Sequence, residues 1–252
     1  MEWNTGLLAI CFFVIAFIYS SVGFGGGSSY LAMLALPVFL LLPEEIRPIA
    51  LLCNIIVVTG GSIIFYREGK IVFNEVWPFL ISSVPFAYVG GFWKLGHQPF
   101  FIILGITLIV ASLFLWIQPE AFNKKQTQKK NSLALNILLG GSIGFLSGLV
   151  SIGGGIFLSP VLHLIRWSEP KKISALASLF ILVNSISGLA GQFARGIPPI
   201  NPYFTGTLLI AVFFGGQIGS RLGARKFNSL YIKRITAMLI LIAGVFILKE
   251  HL

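Results

Sequence analysis

Ten apolar stretches separated by short polar connections fill nearly the whole chain: 6–22, 28–42, 48–66, 76–95, 100–117, 133–150, 156–167, 173–194, 203–222 and 235–248. Most approach the ~20 residues that a helix needs to cross a ~30 Å hydrocarbon core. The second and seventh are shorter and, at ~1.5 Å per residue, rise only about 22 and 18 Å. Each of these two follows directly on a glycine-rich interruption, Ser21-Val22-Gly23-Phe24-Gly25-Gly26-Gly27-Ser28-Ser29 in one place and Ser147-Gly148-Leu149-Val150-Ser151-Ile152-Gly153-Gly154-Gly155 in the other. A glycine inside a helix costs roughly 1 kcal/mol relative to alanine, so a cluster of them ends helical preference. The pattern predicts two glycine-broken helix pairs. Either each pair is a V-shaped hairpin meeting near mid-membrane, or each short stretch is a tilted full span.

The polar, lysine-rich stretch 119–131 is the one real linker, and it divides the chain into a first transmembrane repeat, 1–118, and a second, 132–252. Landmarks recur in register across it. Gly25 and Gly153 stand 128 residues apart, Gly90 and Gly219 129, and both Asn54 with Asn184 and Gly61 with Gly191 stand 130 apart. Such spacing marks an internal repeat. Five segments per half, an odd number, invert the second half relative to the first. The expected fold is therefore an all-α integral membrane protein of two inverted-topology repeats, each with a broken pair or hairpin plus about three spanning helices.

Composition agrees with the pattern. Of the 252 residues, 56% are hydrophobic and 10% charged, whereas soluble domains carry about 25% charged residues. The apolar N-terminal stretch lacks the basic leader of a removable signal peptide. Cys11 and Cys53 lie within apolar runs and read as small buried hydrophobes. The net charge of +10 resides in the connections, which argues for membrane topology over nucleic-acid binding. With the linker placed in the cytoplasm, 14 basic residues fall inside, among them Arg166, Arg221, Arg225, Lys226 and Lys233. Four fall outside: Arg47, Lys94, Arg195 and Lys249. That bias orients the chain in the cytoplasmic membrane with both termini outside. All eight acidic residues are glutamates at or near segment edges, so the interior offers no carboxylate for a cation site or proton relay. No metal or cofactor is expected.

Non-helical backbone at membrane depth survives only where protein buries it or where it lines a wet cavity. Helices restarting after Gly27 and Gly155 would aim free amides and a positive dipole end into such a cavity, making an anion site without a charged side chain. Tight helix packing is the competing explanation for the glycines. The expected substrate-binding set is Gly25, Gly26, Gly27, Ser28, Asn54, Gly153, Gly154, Gly155, Asn184 and Gln192. Asn54 and Asn184 sit mid-segment, where an amide needs a partner, either another helix or a substrate. Ser21 and Ser151 flank the glycines as further donors or as helix caps. His163, deep in an apolar run, reads as a packed, hydrogen-bonded residue before a proton carrier. Trp93, Trp116 and Trp167 stand at segment ends as interfacial anchors.

The two signatures Gly23-Phe24-Gly25-Gly26-Gly27 and Ser151-Ile152-Gly153-Gly154-Gly155-Ile156-Phe157-Leu158-Ser159-Pro160, with Gly216-Gln217-Ile218-Gly219-Ser220-Arg221-Leu222 near the end, resemble those of the TauE/SafE-type sulfite and sulfonate exporters. The resemblance covers nearly the whole chain. It implies a multi-pass carrier in the cytoplasmic membrane that moves small sulfur oxyanions or organosulfonates by alternating access. Pro160 has Ala32 at its counterpart, so the two breaks are expected to differ in conformation. The competing readings are an anion channel, a carrier of small carboxylates, and an intramembrane hydrolase. His163 has no orienting acid for the last, and the chain is expected not to be an enzyme.

Overall fold

The computed structural model describes residues 2–117, 132–226 and 229–251, which form ten helices and no strand. They are α1 Glu2–Ser20, α2 Gly27–Leu34, α3 Pro43–Arg67, α4 Phe73–Phe92, α5 His97–Ile117, α6 Leu133–Val150, α7 Gly155–Leu164, α8 Pro170–Arg195, α9 Pro202–Lys226 and α10 Ser229–His251. The expected linker 119–131 lies outside the described residues, as do the side chains of Arg225, Lys226 and Lys233.

Helix starts follow local chemistry. Ser132 Oγ accepts the Leu135 amide at 3.1 Å to cap α6. Asn201 Oδ1 accepts the amides of Tyr203 and Phe204 at 3.0 and 3.2 Å to cap α9. Pro43 opens α3, and the Glu45 carboxylate accepts the Leu42 amide at 2.9 Å. Proline at the first position and a glutamate reaching back over the first turn are helix-start devices. They begin α3 five residues earlier than the apolar pattern suggests, with consequences for Arg47.

Hydropathy overstates the two short segments. α2 has 8 residues and α7 has 10, lengths of about 12 and 15 Å. The chain after α2 turns through a short 3-10 helix at Pro37–Phe39, because the residue before a proline is steered out of helical geometry. Neither helix spans ~30 Å. The tilted-span alternative fails, and both short helices are buried within the bundle.

Among the described residues, five helices are long and apolar enough to cross a membrane: α3, α5, α6, α8 and α9 as far as Leu222. Large apolar side chains stand exposed on many of the helices, for example Leu7, Ile10, Ile63, Ile81, Ile106, Leu138, Ile210 and Ile242. In water such a surface would drive association; against lipid tails it is the natural outer face.

α4 lies along α6, α1 along α9, α5 along α10 and α3 along α8. α4 also meets α8, and α3 meets α9; α2 touches α3 and α10, and α7 touches α8 and α5. Advancing each label by five maps these packings onto one another. Glycine makes the closest of them. A Cβ at Gly140 or Gly144 would collide with Phe79 or Ser83 of α4, and one at Gly148 with the Ala87 carbonyl. Gly215 and Gly219 press likewise on the Phe13 and Phe17 carbonyls of α1. Small residues four apart let helix backbones touch where lipid supplies no hydrophobic drive to bring them together.

Trp93 and Trp116 are exposed as interfacial residues should be, but Trp167 is only 9% exposed. Its ring meets Phe79 edge-on at 5.7 Å, so it packs the core and anchors no interface.

Gly144→Val should push α4 off α6 and cost about 1–3 kcal/mol. Thermal unfolding in detergent, followed by size-exclusion chromatography, should show a lowered midpoint. Gly206→Ala, inside α9 where nothing lies within 4 Å of the added carbon, should hold the midpoint or raise it, because alanine favours the helix.

Candidate functional site

Both interruptions end their helix the same way. After α1, the amide of Gly23 donates to the Ser20 carbonyl and that of Phe24 to Tyr19, at 3.2 and 2.9 Å. After α6, the Ile152 amide donates to the Ser147 carbonyl at 3.2 Å, the matched position. This is the closure of a Schellman cap, which requires a left-handed residue and favours glycine there. Gly23 fills that place at φ 85°, but in the second half it is Ser151, at φ 65°. A left-handed conformation is unfavourable for a residue with a side chain, and the serine hydroxyl is put to use, as described below. α2 and α7 then restart from Gly26 at φ 88° and Gly154 at φ 81°.

Between cap and restart, each break leaves four consecutive amides that donate to no described residue: Gly25, Gly26, Gly27 and Ser28 in the first, and Gly153, Gly154, Gly155 and Ile156 in the second. Backbone donation resumes only with Ser29 and Tyr30 to the Gly26 carbonyl, and with Phe157 and Leu158 to Gly154. Successive free amides in left-handed turns form an anion-binding concavity, here joined to the positive ends of two helices.

Asn54 joins the two breaks. It is fully buried on α3, and its Nδ2 donates to the Ile152 carbonyl of the second break at 3.0 Å. A Cβ at Gly25 would collide with its Oδ1, and one at Gly27 with its Nδ2. At Gly153 an added Cβ would come within 2.9 Å of the same Nδ2. Gly25, Gly27 and Gly153, drawn from both triplets, therefore pack around one amide side chain, and a side chain at any of the three would strike it. The Oδ1 of Asn54 has no partner, and neither do Ser147 Oγ and Ser185 Oγ, which an added Cβ at Gly154 and Gly153 respectively would approach at 3.2 and 3.1 Å. Orphaned buried polar atoms clustered at one place are costly unless something binds there.

Asn184 behaves differently from its counterpart. It too is fully buried, but its Nδ2 donates to Phe180 of its own helix at 2.8 Å, and its Oδ1 has no partner. Gln192 lies toward the end of α8 and donates to Ser151 Oγ at 3.0 Å, beside the second break and not between the two. His163 Nδ1 sits 2.7 Å from the Ser159 carbonyl, the packed role expected of it. Cys11 and Cys53 are both free thiols.

Arg47 is the residue the apolar pattern misplaces. Counted among outer connections, it stands instead inside α3 and is 3% exposed. Its Nε donates to Ser151 Oγ at 3.2 Å. One Nη donates to the Trp93 carbonyl and the other to those of Gly90, Gly91 and Gly148, all at 3.3 Å. The guanidinium thus satisfies carbonyls at the C-terminal ends of α4 and α6, where the helix dipoles favour a cation. Its carbon lies 6.0 Å from the Phe100 ring centroid, within cation–π range. The signal was present in Pro43-Glu44-Glu45, a helix start that carries residue 47 into the second turn.

Arg47, Lys94 and Arg195, three of the four expected outer cations, line one cleft of about 250 Å³ with Glu44, Gln192 and residues 196–199. Lys94 and Glu44 pair across it at 2.8 Å.

An all-helical bundle sheathed in apolar side chains, with paired helix breaks turned inward, defines a multi-pass membrane transporter, and comparison with known proteins gives its family. Residues 8–247 match the family described as "Sulfite exporter TauE/SafE", and the chain belongs to it. "Probable membrane transporter protein y4hK" of Sinorhizobium fredii is 33% identical over 243 residues, 94% of this chain and 95% of the relative. "Probable membrane transporter protein YunE" of Bacillus subtilis is 23% identical, covering 97% of each chain. A protein of Methanocaldococcus jannaschii with the same description is 25% identical over 96% of this chain and 94% of its own. No solved structure matches. The protein is a transporter and not an enzyme.

Arg47→Met should strand buried carbonyls on α4 and α6 and cost about 2–3 kcal/mol, the worth of hydrogen bonds to a charged donor. Thermal unfolding in detergent reads the loss. Arg47→Lys should recover only part of it, because an ammonium lacks the planar fork that serves several acceptors at once.

Proposed function

We propose that this membrane transporter exports a small sulfur-containing anion, sulfite or an organosulfonate, held where the two glycine breaks meet. The observation that carries the reading is the pair of four-amide runs, 25–28 and 153–156, that donate to no described residue on either side of Asn54. Backbone amides and helix starts attract negative charge without a formal cation, which leaves the passenger bound loosely enough to depart. The family's description names sulfite, and the acidic residues of the chain sit at or near segment edges. Both favour an anion over a cation.

In this reading Gly25, Gly26, Gly27, Ser28, Gly153, Gly154 and Gly155 supply amides. Asn54 Nδ2, now on Ile152, turns to the substrate. Asn184 supplies a second amide side chain from α8, and Gln192 acts from the outer side. Asn54 occupies the space between the breaks, so in this reading it moves aside when substrate enters. Residues 1–118 and 132–252 act as inverted repeats joined by the linker 119–131, and the exchange of packings between helices five apart supports that division. Rocking one repeat against the other would alternate access at their shared break.

Gly153→Val adds a branched side chain at φ 88° against Asn54 and Ile181. Proteoliposomes bearing it should lose uptake of labelled sulfite, taurine and other sulfonates by at least about tenfold, as about 1.4 kcal/mol of lost binding or gating would give, while the purified protein stays monodisperse. Wild-type vesicles that move a cation such as rubidium and none of these anions would contradict the proposal.

A further inference from the structure

The outer cleft has its own chemistry, apart from the breaks. Of its three cations, Lys94 is neutralised by Glu44 at 2.8 Å. Arg47 and Arg195 have no carboxylate partner among the described residues, and the Nη1 of Arg195 is a buried nitrogen without a hydrogen-bond acceptor. Gln192 completes the wall with an amide side chain that is nine-tenths buried or more. A guanidinium nitrogen of Arg195 without an acceptor, beside the Arg47 guanidinium and the Gln192 amide, which are held by carbonyls and by Ser151, lines a cleft of about 250 Å³ and suits an oxyanion.

We propose that this cleft is a second anion-binding site, which takes a small oxyanion of sulfite or sulfate type before it reaches the breaks and which acts on the second break through Ser151. The proposal rests on the anion reading for its ligand class but not on the breaks being the central site. The link is physical. Ser151 Oγ receives both Arg47 Nε and Gln192 Nε2, at 3.2 and 3.0 Å, and both donors line the cleft. Two bonds to that hydroxyl hold Ser151 in the left-handed conformation that its counterpart Gly23 adopts without help. An anion in the cleft competes for the same donors and loosens the cap. Ile152 follows directly, and its carbonyl holds Asn54 Nδ2. Occupying the cleft therefore weakens the contact that keeps Asn54 between the breaks.

Arginine labelling with phenylglyoxal, resolved by peptide mass spectrometry on the full-length protein in detergent, tests the site directly. Sulfate, selenate and methanesulfonate, which do not react with phenylglyoxal, serve as probes against chloride at equal ionic strength, and exposed Arg221 is the internal control. Arg195 should label several-fold more slowly with the divalent oxyanions than with chloride, with Arg221 unchanged. Equal labelling of Arg195 in every salt would overturn the proposal, because screening alone would then account for the cleft. In Gly153→Val the protection of Arg195 should persist. Its loss there would also overturn the proposal, showing one site where two are claimed. Transport surviving in Gly153→Val would sink the central-site reading alone. Arg195→Gln should retain transport with a raised half-saturating anion concentration, and an unchanged value there would remove the cleft from the transport path.

Discussion

Backbone amides in a membrane have to be satisfied, and lipid offers them nothing. Most of this protein meets that demand with helices. At two places it does not, and four amides in succession are left open on each side of Asn54. Helix starts leave their first amides without partners in any helix, and the anion proposed above would supply partners for these two runs. Around that constraint the other features fall into place: glycines where a Cβ would strike Asn54, Schellman closures that stop α1 and α6 cleanly, and two short helices whose starts face inward.

Holding such a break in register needs a rigid frame. The glycines of α6 and α9 supply it by bringing α6 onto α4 and α9 onto α1 at backbone contact. Arg47 ties the ends of α4 and α6 to α3, the helix that carries Asn54. A single buried guanidinium therefore connects the frame, the second break and the outer cleft. The first break has no equivalent: Ala177 and Ser178 stand 130 residues after Arg47 and Pro48, and Ser178 meets Ser62 in a neutral hydroxyl pair at 3.0 Å. Charge at one end of α3 and a neutral hydroxyl pair at the other give the two breaks chemically different surroundings.

Much of this was legible in the sequence, for physical reasons. Ten apolar runs and two glycine triplets announce a membrane bundle with paired breaks, because hydropathy and helix propensity are local properties. The family signatures lie in those same stretches. What stayed hidden depended on register and long-range contact. Window hydropathy placed the start of the third segment at Pro48 and cast Arg47 as a loop charge, although Pro43 and Glu45 mark the true start. It ran the second segment on to Leu42, past the proline that ends α2 near Leu34. Asn54 and Asn184 look interchangeable at equal spacing, yet only Asn54 reaches across to the other half. The periodic glycines of α6, at 140, 144 and 148, carried a packing signal that the two triplets overshadowed.

The most direct test is to locate a heavy-atom analogue of the passenger. Selenite replaces the sulfur of sulfite with an anomalous scatterer, and diffraction from crystals grown with it locates the selenium unambiguously. The account predicts a selenium peak between the two breaks, with selenite oxygens about 3 Å from amide nitrogens of 25–28 and 153–156 and Asn54 turned away from Ile152. Selenium found only in the outer cleft, with both runs of amides still closed around Asn54, would contradict it.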